Sequence, residues 1–223
     1  MKDKRVHLFY QTYGNGRNDA ICHAVSTDAI HFERDATNPV FHPRGDWTCG
    51  RAIDADVVGY RGRYWLYFAT RDTAFKIQKV GAASCSASAG FHRGDWTQMA
   101  DSAVLAPTLS WEKQCIEAPN CIRRGDRLYM FYAGAYNNAP QQIGVAYSLD
   151  GIHWTRLSDR PFLANGTPGS WNQSESGHPC IFTDRQGTTW LFFQGNNTHG
   201  KTWFISKKKV LWKNDVPYLE DRG

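Results

Sequence analysis

Apolar residues gather along this chain in short aromatic runs, with no stretch of sustained helical periodicity between caps. Four runs share one pattern: Leu8-Phe9-Tyr10-Gln11, Leu66-Tyr67-Phe68-Ala69, Met130-Phe131-Tyr132-Ala133 and Leu191-Phe192-Phe193-Gln194, with steps of 58, 64 and 61 between their first residues. Roughly 15 residues after each comes a second strand-like segment of small residues ending on serine: Cys22–Ser26, Gly81–Ser84, Gly144–Ser148 and Trp203–Ser206. A third element follows two of these, as Ser26-Thr27-Asp28-Ala29-Ile30-His31-Phe32 and Ser148-Leu149-Asp150-Gly151-Ile152-His153-Trp154. Turn signals such as Arg61-Gly62, Gly125-Asp126 and Gln186-Gly187 bound the segments.

A fixed repeat of this length, built from short strands, predicts the blades of an all-β propeller. Strands stacked between blades are buried on both faces, which accounts for apolar runs in place of clean alternation. A β-sandwich also supplies many short strands but has no reason to repeat. The expected blades are approximately 1–50, 51–110, 111–170 and 171–223, in one domain. The Ser-x-Asp-Gly-x-x-Trp element resembles a sialidase Asp-box short by one residue, and such elements are turn-forming.

Composition narrows the function. Aromatic residues make up 14%, with 9 Trp and 10 Tyr, which suits blade packing and sugar stacking alike. The formal charge is +5, but basic and acidic residues interleave, and Lys207-Lys208-Lys209 reads as a solvated strand end. No electrostatic stripe for nucleic acid and no long apolar run for a membrane is present. No signal peptide precedes Lys2; the expected location is periplasmic or secreted if one lies in a missing N-terminal part, and cytoplasmic otherwise. The six cysteines lie at 22, 49, 85, 115, 121 and 180. Without close pairs for a zinc knuckle they read as free thiols, with Cys22, Cys85, Cys121 and Cys180 as small core residues of strands.

Chemistry is expected at the heads of the innermost strands, where a propeller converges on its channel. Three heads stand out: Arg51–Asp56, Cys115–Asn120 and Glu175–Pro179. Asp54 and Glu117 each lie eight residues before a turn glycine, Gly62 and Gly125, which predicts nearly equivalent sites in adjacent blades. Trp47 and Trp171 precede strand heads on loops where an indole can stack on a sugar face. Gln11, Arg71, Asp72, Tyr136, Asn137, Asn138, Gln141, Gln142, Gln194, Asn196 and Asn197 form a polar set suited to reading hydroxyls. Glu175 and His178 add a carboxylate and an imidazole. Simpler readings compete: an ion pair of Glu117 with Arg123 or Arg124, a pair of Asp54 with Arg51 that leaves Asp56 as the inward carboxylate, a structural His178, and indoles that only pack.

Glu117-Ala118-Pro119 before an apolar strand resembles the general-acid motif of glycoside hydrolase family 43, and Ile53-Asp54 is similar to its second acidic motif. The first blade, His7–Gln11 with His23–Asp28, is similar to that of the related family 32 β-fructosidases. Arg51 and Asp54 partly match that family's Arg-Asp-Pro motif, though two residues intervene and no proline follows. The resemblance implies a five-bladed propeller glycosidase acting on plant or microbial poly- or oligosaccharides, with Glu117 as acid and Asp54 supporting it. It implies Arg51 as a substrate contact, and the positions of Trp47, Gln11, Arg71, Trp171, Glu175, His178, Tyr136 and Gln194 around the funnel make them expected contacts independently of it. It also implies a base or nucleophile aspartate upstream of the His7–Gln11 strand, so the chain is expected to lack an N-terminal blade or strand. Asp3 falls in the blade's outer turn and does not take that role. No nucleotide or redox cofactor is expected; the resemblance allows a structural calcium ion in the channel, for which no ligand set is visible. The expected partner is a saccharide, and the sequence leaves the oligomeric state open.

Overall fold

The computed structural model describes residues 2–220. Four antiparallel sheets stand in a ring, each a simple meander from the channel outward. The first holds β1 (Val6–Gln11), β2 (Ile21–Ser26) and β3 (Glu33–Arg34). The second holds β4 (Ile53–Tyr60), β5 (Arg63–Arg71), β6 (Gln78–Ser86) and β7 (Thr97–Gln98). The third holds β8 (Ile116–Arg124), β9 (Arg127–Gly134), β10 (Gln142–Ser148) and β11 (Trp154–Arg156). The fourth holds β12 (Glu175–Thr183), β13 (Thr189–Asn196), β14 (Phe204–Lys213) and β15 (Val216–Leu219). This is a propeller of four blades, and two 3-10 turns, Gly16–Asn18 and Arg93–Asp95, are the helical segments among the described residues. No helix among those residues is long and apolar enough to cross a membrane.

The aromatic runs form the second strands, and their alternate residues feed different cores. In β5, Leu66 and Phe68 pack with Ile21 and Phe41 of the first blade, while Trp65 and Tyr67 pack with Met130 and Tyr132 of the third. In β9, Tyr129 and Phe131 turn instead towards Ile181, Leu191 and Phe193 of the fourth. Burial on both faces is thus the reason that these strands read as continuous apolar runs.

The two Asp-box-like elements fold alike. Ser26 Oγ donates to Asp28 Oδ1, which accepts the amides of Ile30 and His31 at 2.8 Å. Ser148 and Asp150 repeat the arrangement with Ile152 and His153. All six cysteines are free, yet Cys180 is exposed rather than buried, because its strand borders the channel. Lys207–Lys209 lie within β14, exposed as expected but in mid-strand, with Lys207 Nζ 4.4 Å from the Trp190 ring centre.

The inner strands β4, β8 and β12 each carry a β-bulge at the same level, between Ile53 and Asp56, Glu117 and Asn120, and Gly177 and Cys180. One residue in each bulge is left-handed: Asp54 (φ 53°), Ala118 (φ 48°) and His178 (φ 45°). The register therefore sets Asp54 opposite Ala118, one residue beyond Glu117. The eight-residue spacing misjudged this offset because the turns after β4 and β8 place their glycines differently.

In the first blade β1 takes the place of a second strand and forms the channel-side edge of its sheet. Asp3 sits with Lys4 in the tight turn closed by the Lys2–Arg5 bridge, two-thirds exposed and ion-paired with Lys2, well away from the channel.

Candidate active site

At the strand heads a cavity of about 360 Å³ is lined by Gln11, Tyr13, Arg51, Ile53, Asp54, Arg71, Gln78, Glu117, Tyr136, Asn137 and His178. Larger grooves of about 450 and 460 Å³ lie between blades and gather no pair of carboxylates.

Glu117 is almost fully buried. Among the described residues it has no ion-pair partner: Arg123 turns to the Gly125 carbonyl and Arg124 to Asp215. Gln141 Nε2 donates to Glu117 Oε1 at 2.6 Å, Gln78 Nε2 donates to Oε2, and the Cys115 thiol is also hydrogen-bonded to the carboxyl. Burial, then the charge of Asp54, raises Glu117 above the ordinary carboxylate range. Burial raises Asp54 too, against the pull of His178, the Ala118 amide, Arg51 and Gln11. Two carboxyls that share one pocket disfavour joint ionisation.

Asp54 is fixed from two blades. Its amide donates to Gln11 Oε1 at 2.5 Å, and its Oδ2 accepts the Ala118 amide at 3.3 Å. Its left-handed backbone, which aspartate tolerates better than most residues, aims the side chain into the pocket. Asp56 lies deeper, accepting from Asn120 Nδ2 and the Cys121 amide at 2.8 Å each, while Asn120 Oδ1 accepts the Ile181 amide. That chain joins three inner strands beneath the pocket. Burial pushes Asp56 up to about 7.

Arg51 pairs with Asp19 at 3.1 Å, not with Asp54, and both partners are buried. Arg71 donates to Gln78 Oε1 at 2.9 Å. His178 Nδ1 lies 3.0 Å from Gln141 Oε1 and 2.9 Å from Gln194 Nε2. Glu175 stands behind the wall, fully buried, accepting from Gln194 Nε2 and the Asn138 amide at 2.7 Å. Of the expected contacts, Gln11, Arg51, Arg71, Tyr136 and His178 therefore line the cavity with Asp54 and Glu117, while Glu175 and Gln194 back it.

Trp47 and Trp171 are not among the lining residues. Trp171 presses on Gly195, where an added Cβ would lie 2.7 Å from the indole, and Trp47 does the same to Gly81 at 2.7 Å. Trp111 repeats the contact on Gly134 at 2.2 Å. These indoles wedge against blade strands.

Asp19, Tyr13 and Gln78 escaped the sequence reading. Gln78 had a signal: it precedes Gly81 by three residues, as Gln141 precedes Gly144, and both glutamines bond the same carboxylate. Among the described residues no group of three or more His, Cys, Asp or Glu is arranged to hold a metal ion. The channel carboxylate Asp56 is engaged by Asn120 and Cys121.

The family model for Glycosyl hydrolases family 43 matches residues 9–216. A thermostable family-43 glycoside hydrolase is similar in structure, with a TM-score of 0.78 and 17% identity over 99% of this chain and 72% of that one. An endo-1,4-beta-xylanase from Bacteroides thetaiotaomicron gives 0.75 and 19% over 98% and 71%. An alpha-L-arabinofuranosidase from Lactobacillus brevis gives 0.72 and 16% over 96% and 72%. At such identities these likenesses establish the fold. No curated protein matches in sequence.

Proposed function

This chain belongs to glycosyl hydrolase family 43, a family of glycosidases, and we propose that it cleaves plant or microbial poly- or oligosaccharides with Glu117 as general acid and Asp54 as its support. The observation that carries the assignment is Glu117 itself: an almost fully buried carboxyl at a strand head, raised by burial and by Asp54, facing a polar cavity and, among the described residues, without an ion-pair partner. Glycosidic cleavage needs a proton on the departing oxygen as the C–O bond breaks. A carboxyl kept neutral at working pH supplies it. Asp54, held by Gln11 and the Ala118 amide, sustains that raised affinity for the proton and stands within reach of sugar hydroxyls. Gln11, Arg71, Tyr136, Asn137 and His178 supply further hydroxyl partners around the ring.

Attack at the anomeric carbon calls for an ionised carboxylate on the opposite face. Asp54 and Glu117 are the carboxylates lining the cavity among the described residues, and both are pushed toward their neutral forms. That observation favours a second reading, in which the propeller binds saccharides without turning them over. Glu117→Gln tests the first: turnover of arabino- and xylo-oligosaccharides is expected to vanish while binding persists. Binding by the unmutated chain with no turnover of any oligosaccharide selects the second.

A further inference from the structure

Three guanidinium groups converge on one ring at the mouth of this cavity. The centre of Phe75 lies 4.6 Å from Cζ of Arg71, 5.8 Å from that of Arg51 and 6.0 Å from that of Arg17. Phe75 stands at the tip of the turn between β5 and β6 with a left-handed backbone, φ 62°, a conformation rare for a bulky side chain. The turn is held there by Asp72 Oδ1, which accepts the amides of Lys76 and Ile77, and by the Tyr136 hydroxyl, which donates to the Lys76 carbonyl. The ring's position is therefore built into the backbone.

Among the described residues one of the three cations has a carboxylate partner, the buried Asp19 that takes Arg51. Arg17 donates to the Thr73 carbonyl. Arg71 is the informative member. The ring centres of Phe75 and Tyr136 lie 4.6 and 5.1 Å from its Cζ, so cation–π attraction from two rings holds the guanidinium in place. Its Nε donates to Gln78, and among the described residues its terminal nitrogens have no hydrogen-bond partner. A guanidinium stacked by its faces keeps its in-plane N–H fork free, the geometry that matches a carboxylate. Arg17 and Arg71 thus bring two cations without a carboxylate partner among the described residues to one ring, a site of net positive charge.

We propose that Arg71, Arg17 and Arg51 around Phe75 form a subsite for an acidic sugar, a residue bearing a carboxylate, beside the sugar whose bond Glu117 breaks. The inference rests on the glycosidase reading of the cavity and adds the class of substrate. The fork of Arg71 takes the carboxylate, the exposed Tyr13 offers an apolar ring face to the sugar, and Arg17 supplies charge from the rim.

Glu117→Gln, with turnover blocked, allows titration calorimetry on pairs of oligosaccharides from glucuronoxylan and galacturonan. One member of each pair is native and the other has its carboxylates reduced to primary alcohols. The native member is expected to bind about tenfold tighter at low salt, the scale of one charge-assisted hydrogen bond, with the advantage shrinking as salt rises. Adding Arg71→Gln is expected to abolish the advantage, and Arg71→Lys to restore only part of it because the fork is lost. Arg17→Gln, at an exposed position, is expected to narrow it. Equal affinity within every pair, preference for the reduced members, or no binding of any pair overturns the subsite. An arginine-dependent advantage for sulfated but not carboxylated oligosaccharides overturns the carboxylate assignment. Turnover of neutral oligosaccharides by the unmutated chain reports on the glycosidase reading separately, so turnover without acid preference removes this inference alone.

Discussion

Replacing Gln141 by leucine tests whether the Glu117 carboxyl is tuned by its neighbours as the geometry requires. Gln141 Nε2 donates to Glu117 Oε1 at 2.6 Å and has no exposure to solvent. A hydrogen bond to an ionised acceptor contributes roughly 1.5–3 kcal/mol net, and one to a neutral acceptor roughly 0.5–1.5 kcal/mol. The donor thus favours the ionised form by about 1–1.5 kcal/mol, and its loss raises the Glu117 pKa by about one unit at ~1.36 kcal/mol per unit. Because the acid acts when protonated, the alkaline limb of kcat against pH is expected to move upward by that amount. The assay needs an unactivated oligosaccharide, since an aryl leaving group departs with little help from an acid. The same shift is readable without turnover, by NMR titration of protein carrying carboxyl-labelled glutamate. Gln141 also bonds the Ala135 carbonyl, so the variant is expected to lose stability, which neither readout confuses with titration. A limb that stays put or moves to lower pH in both measurements refutes the reasoning.

Three further outcomes follow from the same structure. Glu112 is fully buried, accepting from Arg156 at 2.7 and 2.8 Å and from the Tyr132 hydroxyl, so Glu112→Ala is expected to cost about 3–5 kcal/mol in urea unfolding by stranding the arginine; a loss under about 1 kcal/mol contradicts the pairing. Gly134→Ala forces a Cβ within 2.2 Å of Trp111 and is expected to lose about 1–3 kcal/mol, whereas Gly187→Ala, with open space around it, reports backbone strain alone. Burial raises the Asp35 carboxyl, but the Thr37 hydroxyl and amide with His23 and His92 outweigh it and hold it at about 2. A depressed pKa stabilises the fold above the unfolded value near ~3.9 and is lost as pH falls through the folded one; Asp35→Asn is expected to flatten the stability curve between about pH 4 and 2, and an unchanged acid limb disproves the linkage.

Blades were legible because packing on both faces leaves the same apolar run in β5, β9 and β13 wherever it occurs. Glu117 and Asp54 were legible as strand heads, but their one-residue offset was not. A bulge adds a residue without altering composition, and only the pairing of Glu117 with Ala133 and of Ile53 with Ala69 reveals it. The Asp19–Arg51 pair was hidden for another reason: its partners are 32 residues apart and meet only where the first two blades join. The indoles of Trp47 and Trp171 could stack on a sugar or on a strand, and what decides is a glycine in the facing strand, Gly81 or Gly195, which no local pattern ties to them. Gln78 lay within reach of the repeat itself, since aligning the third strands on Gly81 and Gly144 pairs it with Gln141.

The left-handed residues of the three inner strands bear on how such a site is altered. Asp54, Ala118 and His178 share one backbone conformation at one level of the ring, yet they present an acid, a methyl group and an imidazole. The conformational strain at this position, of order 1–3 kcal/mol, is borne by the backbone whichever side chain it carries. Position and chemistry are consequently separable here, and the same socket accepts different reagents blade by blade. Ala118, standing between the acid and the imidazole, is the place where a mutant library would rewrite the reaction with least disturbance. Asparagine and aspartate are the natural first substitutions, because they adopt this backbone more readily than other side chains.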